Sequence, residues 1–224
     1  LVSEAVLKQT GAKGVIQKGT GVQIVYGPKV TVIKSDLEHF LTTKKSDEIT
    51  ADYNLDGEAP ADASSETAKA EETKAMGPQE IANPIKGTIL PLTEVKDAVF
   101  SSEMLGKGFA VEPSVGETYA PIAGTISAVF DTKHAIGITG DKGIELLIHM
   151  GLDTVKLAGK GFDVKVKVGD KVNVGDLLAT FDIDFIKGEG LPVTTPIVIS
   201  NTDAFAEIGT AKTGAANVGD IVLN

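Results

Sequence analysis

From residue 87 onward, short apolar runs recur about every ten positions and end at glycine or aspartate. They cover residues 87–90, 108–111, 124–130, 135–138, 144–148, 162–166, 177–181, 196–200 and 221–223. Runs this short, closed by turn residues, predict strands of an antiparallel sandwich or barrel. One short helix is predicted over 182–188. The fold class is therefore mainly β over residues 81–224.

The first 43 residues have a different rhythm. Residues 2–9 have helical spacing and stop before Gly11, a natural helix end. Residues 14–19 and 21–27 predict two short strands around a glycine turn. Val30, Ile33, Leu37, Phe40 and Leu41 then recur at three- and four-residue steps, which predicts a helix over 30–41. His39 lies off that stripe and is read as a solvated surface residue. So small an α/β piece buries little core, so it belongs to something larger. Residues 44–80 are rich in Glu, Asp, Ala, Ser, Thr and Lys, with few large apolar side chains. Such a segment buries too little surface to offset the entropy of ordering, and it reads as a flexible acidic linker with a weak helix over 64–75.

Composition narrows the chemistry. The chain has no cysteine, which excludes disulfides, thiol catalysis and cysteine–zinc sites. A net charge of −10 argues against a nucleic-acid partner, because phosphate binding needs clustered Lys and Arg. No apolar run reaches the roughly 18 residues of a membrane span, and the N-terminus lacks signal-peptide regions. The expectation is a soluble cytoplasmic protein.

Candidate chemistry centres on His134 and His149, which flank two strand-like runs. Thr139-Gly140-Asp141-Lys142-Gly143 between them suits a hairpin turn. A hairpin would lay the runs side by side and bring the two imidazoles together. Both histidines as hydrogen-bonded structural residues is the plain alternative. Gly151, just after the second run, would let another molecule approach closely. Phe100, Met104, Leu105, Phe109, Phe130, Ile136 and Leu147 are expected to be exposed around the pair as an apolar docking patch. Asp97 and Asp153 would supply its acidic rim and steer a basic partner. A zinc hydrolase would need three protein ligands, and the sequence has neither H-x-H nor H-E-x-x-H. The V-G-D turns at 168–170 and 174–176 resemble those joining strands in biotinyl and lipoyl carriers. No lysine on an exposed hairpin beside Met accompanies them.

Residues from about 84 to 223 resemble the enzyme IIA domain of the glucose-type bacterial phosphotransferase system. The resemblance rests on V-F-S-S-E-M-L-G-K-G-F-A-V-E-P (99–113), A-P-I-A-G-T-I (120–126), F-D-T-K-H-A-I-G-I (130–138) and G-I-E-L-L-I-H-M-G-L-D-T-V (143–155). G-D-K-V-N-V-G-D (169–176), F-D-I-D (181–184) and T-P-I-V-I-S-N (195–201) continue it in order. The N-terminal piece resembles a truncated enzyme IIB domain through L-K-Q-T-G-A-K-G-V-I (7–16) and G-V-Q-I-V-Y-G-P (21–28). That family's phosphoacceptor is a cysteine, so this piece cannot perform B-domain chemistry. The order B, linker, A is that of the tail of a permease chain.

The resemblance implies an antiparallel sandwich with a shallow apolar depression around the histidines. It implies His149 as phosphoacceptor, His134 as the second histidine supporting the phosphoryl group, and Thr132 as hydrogen-bond partner of His134. Partners would be the phosphocarrier protein HPr as donor and the cysteine of an enzyme IIB domain as acceptor. No cofactor is required. A second implied role is regulatory: the unphosphorylated face would bind metabolic enzymes or permeases, with zinc held by His134 and His149 once a partner carboxylate completes the set.

Overall fold

Glycines and aspartates close the apolar runs in the computed structural model, which describes residues 14–18, 21–25, 79–209 and 211–223. β1 (Gly14–Lys18) and β2 (Gly21–Val25) pair antiparallel. The expected helices over 2–9 and 30–41, His39 and the linker up to residue 78 lie outside the described residues.

The β domain contains β3 (Ile81–Ala82), β4 (Gly87–Pro91), β5 (Lys107–Pro113), β6 (Glu117–Tyr119), β7 (Gly124–Val129), β8 (Ala135–Gly140) and β9 (Glu145–His149). It continues with β10 (Phe162–Val164), β11 (Lys171–Val172), β12 (Leu177–Phe181), β13 (Thr195–Ile199), β14 (Gly214–Ala216) and β15 (Ile221–Leu223). One sheet has the order β11-β7-β8-β9-β13-β5-β4-β14, a second β10-β12-β6, and β15 pairs with β3. Every ladder is antiparallel. The fold is thus a mainly β antiparallel sandwich. The strands that periodicity does not reveal, β3, β6, β11 and β14, have two or three residues, too few to show an alternation.

Alternation sorts the faces of the large sheet. Ile136 and Ile138 of β8 and Leu146 and Ile148 of β9 lie in the main core with Phe162, Leu178 and Phe181 of the second sheet. Each such side chain contributes roughly 1.5–3 kcal/mol on burial. Its neighbours in sequence face the other way. Ala135 pairs with His149, and Leu147 pairs with Gly137 and Val198. On that second face Leu92, Val95, Phe100, Ala110, Leu152 and Val198 form a smaller cluster, with Leu105 packed against it.

The lid of that cluster is local. A 3-10 turn, Leu92–Glu94, leads to α1 (Ala98–Ser101), which the sequence pattern does not reveal. Asp97 is its N-cap: its carboxylate accepts from the N–H of Val99 at 2.8 Å and of Phe100 at 3.3 Å. The predicted helix is present as α2 (Ile183–Gly188), capped by Asp182, whose carboxylate accepts from Phe185 N at 2.9 Å.

The V-G-D turns share one device, and a third copy lies at Val218-Gly219-Asp220. Each Asp carboxylate accepts from the N–H three residues earlier, on Lys167, Asn173 and Asn217, at 3.0, 2.7 and 2.8 Å. Each turn exchanges two backbone bonds with one residue: Gly169 and Asp170 with Ile126, Gly175 and Asp176 with Ala120, Gly219 and Asp220 with Asn83. The repeat is a strand-joining clip. Among the described residues no helix is long and apolar enough to cross a membrane.

Candidate functional site

The hairpin does what its turn predicts. Gly140 N–H donates to Ile144 O, and Gly143 N–H to Gly140 O, both at 2.8 Å. Gly143 takes φ +82 in that turn. β8 and β9 then run back together until Met150 N–H meets His134 O at 2.7 Å. The two imidazoles meet edge to face, with ring centres 4.7 Å apart. Phe100 lies against His149 at 5.1 Å, and Phe130 against His134 at 5.5 Å, both edge-on. Thr132 Oγ1 is 2.6 Å from His134 Nδ1, which brings the three expected site residues into one chain of contacts.

The key hydrogen bond was invisible in the sequence. His149 Nδ1 lies 2.7 Å from the carbonyl oxygen of Gly151. A carbonyl only accepts, so Nδ1 carries the proton and the lone pair of His149 is on Nε2. Gly151 itself has a different job from the one expected. Its φ of +76 turns the chain sharply after the strand. A Cβ there would come within 2.6 Å of Thr154 Cγ2 and 2.9 Å of Pro192 O. Gly151→Ala is therefore expected to lower stability by about 3 kcal/mol, combining left-handed strain with overpacking, as read from the urea midpoint.

Both rings are held neutral. Burial, then the neighbouring His149, pushes His134 down to about 3, with Thr132 opposing. Burial also lowers His149, against the Gly151 carbonyl and the charges of Asp97 and Asp153. An unfolded chain regains an ordinary His134 near 6.5, so between there and about 3 it binds more protons at that ring than the folded one. The stability tied to the neutral His134 is fully present above pH 6.5 and declines as pH falls through that window. The expected slope is up to about 1.4 kcal/mol per pH unit for that ring. Urea midpoints between pH 7.5 and 4.5 should fall less steeply in His134→Gln than in the wild type.

The expected docking patch needs correction. Ile136 and Phe109, 0% and 1% exposed, belong to the main core, because strand alternation turns them away from the histidine face. Leu147 shares that face with His149 but is only 5% exposed, beside Val198 of the smaller cluster. Phe100 is 6% exposed, held by the capped α1 under which the cluster packs. Phe130, Met104 and Leu105 are half-buried. Asp97 is half-buried and spends its carboxylate on the helix cap while its charge still reaches His149. Asp153 is exposed and pairs with Lys156 at 2.8 Å. Sequence reasoning missed Leu92, Val95, Leu152 and Val198 as builders of this face; their signal is ordinary apolar character.

Fold and site together define an antiparallel β-sandwich presenting a neutral, paired-histidine site on one sheet face. The family model for the phosphoenolpyruvate-dependent sugar phosphotransferase system, EIIA 1, matches residues 79–205, and the chain belongs to this family of phosphotransferase components. It is 41% identical over 211 residues to the glucose-specific EIICBA component of Streptococcus pneumoniae, covering 93% of this chain and 27% of that one. It is 48% identical over 149 residues to the beta-glucoside-specific EIIBCA component of Bacillus subtilis, covering 66% and 24%. Among solved structures, glucose permease IIA from Mycoplasma capricolum matches with a TM-score of 0.62 and 39% identity, over 65% of this chain and 94% of that one. The chain spans 24% to 31% of the length of the curated relatives it matches.

Proposed function

We propose that this chain is a phosphoryl carrier in sugar uptake. His149 Nε2 takes the phosphoryl group from the phosphohistidine of HPr and passes it to the cysteine of an enzyme IIB domain, on the cytoplasmic side of a permease. The observation that carries the reading is the hydrogen bond from His149 Nδ1 to the Gly151 carbonyl, because it leaves Nε2 as the free nucleophile.

The steps balance. In acceptance the Nε2–P bond forms, the donor's N–P bond breaks, and the donor imidazole takes back the electron pair. In donation the Nε2–P bond breaks, an S–P bond forms to the thiolate, and His149 recovers its pair. Nδ1 keeps its proton throughout, so the phosphorylated ring is a cation and leaves as a neutral imidazole. The Gly151 carbonyl and the charges of Asp97 and Asp153, which already favour a cationic His149, support that state. With the Thr132 hydroxyl donating to His134 Nδ1, His134 Nε2–H is the donor for a phosphoryl oxygen. Phe100, Phe130 and Leu105 shed water, which protects the N–P bond from hydrolysis.

The test is incubation with phospho-HPr followed by mass mapping of the labelled residue. A label on His149 alone is the expected result; a label elsewhere, or none, overturns the reading. A regulatory role would use the same face. Among the described residues no group of three His, Cys, Asp or Glu could hold a metal, so zinc on the His134–His149 pair would need a carboxylate from the bound enzyme or permease.

A further inference from the structure

β9 ends at His149, and two residues later Gly151 bends the chain at φ +76. What aims the Gly151 carbonyl back at the ring is visible in the two peptides flanking Gly151. The carbonyl belongs to the peptide joining Gly151 to Leu152. The N–H of that peptide donates to Pro192 O at 3.0 Å. Its C=O and N–H point in opposite directions because the peptide is trans. The preceding peptide, Met150 to Gly151, is held at both ends by threonine hydroxyls. Its carbonyl accepts from Thr154 Oγ1 at 2.7 Å, and its N–H donates to Thr195 Oγ1 at 3.4 Å. Thr195 Oγ1 in turn donates to Val193 O at 2.9 Å. Both threonines are 0% exposed.

We propose that Thr154 and Thr195 are positioning residues that select the tautomer of His149. By clamping the peptide before Gly151 they aim the next carbonyl at Nδ1 and so keep the lone pair on Nε2. A neutral histidine left to itself favours the opposite arrangement, with the proton on Nε2. The clamp acts only through the Gly151 carbonyl, so its loss shows as a change of tautomer. The proposal rests on His149 Nε2 being the phosphoryl acceptor, but its readout needs no phosphoryl donor.

The experiment is ¹⁵N-histidine NMR of the full chain at neutral pH, comparing ring-nitrogen shifts of His149 in the wild type, Thr154→Val, Thr154→Ser and Thr195→Val. The wild type should show a protonated Nδ1. Thr154→Val keeps the shape and loses the hydroxyl, so it should show a tautomer mixture and take up phosphoryl groups from phospho-HPr about tenfold more slowly, the usual cost of losing an orienting partner. Thr154→Ser should restore both. Thr195→Val should shift the tautomer less, because its bond is longer. A folded Thr154→Val with unchanged ring shifts overturns the proposal, as does a Thr154→Ser as mixed as the valine variant. If neither valine variant folds, the hydroxyls serve folding rather than orientation, and the proposal falls. If the wild type takes up no phosphoryl group yet its tautomer answers to Thr154, the clamp stands and the carrier reading fails.

Discussion

His149→Ala should take up no phosphoryl group from phospho-HPr. The substitution removes a nitrogen whose lone pair is set free by a fixed partner, the Gly151 carbonyl on Nδ1. Nothing beside it can substitute. Among the described residues His134 is the nearest imidazole, but its Nδ1 is engaged by Thr132 and its ring, 5% exposed, lies edge-on against Phe130. Labelling should therefore fall below detection, a loss of at least about a thousandfold, as for removal of a covalent nucleophile elsewhere. The fold should persist, because His149 is partly exposed at a strand end. Retained labelling in a folded His149→Ala would remove the assignment.

His134→Ala should behave differently: it still accepts phosphate but passes it on about a hundredfold more slowly, in line with the loss of one transition-state hydrogen-bond donor. On the proposed carrier reading the donor protein delivers the phosphoryl group already bound and oriented, whereas in donation this chain does the holding, and the ring 4.7 Å from His149 is the nearest group to do it. The measurement is a pair of single-turnover rates, loading from phospho-HPr and unloading onto an enzyme IIB domain. Equal losses in both would mean that His134 merely shapes the pocket. No loss in either would remove it from the site.

Much of this molecule was legible in its chain. Two-residue alternation and closing glycines are local properties, so the longer strands of residues 87–223 and the 139–143 turn could be read directly, while β6, β11 and β14 were too short to show a period. The hairpin then carried its own consequence, the meeting of His134 and His149. The V-G-D turns were legible as strand connectors, though their third copy and their common clip came only with the backbone bonds. α1 was not legible because four residues carry no helical period; only Asp97, a good capping residue, marked its start.

By itself, then, the sequence determined the class of fold, the pairing of the two histidines and the family the chain resembles. The first two follow from period, turn chemistry and residue type, which need no distant partner; the resemblance rests on the motifs themselves. Only the tertiary structure decided which apolar side chains face the site. Phe109 and Ile136 look as available as Phe130 and Leu105 in a string of letters, yet alternation puts the first two in the main core, while residues 92–101 build the separate cluster on the histidine face. It also decided which nitrogen of His149 is free, because that depends on where peptides held by Thr154, Pro192 and Thr195 point a carbonyl, and such directions arise only when separated segments pack together.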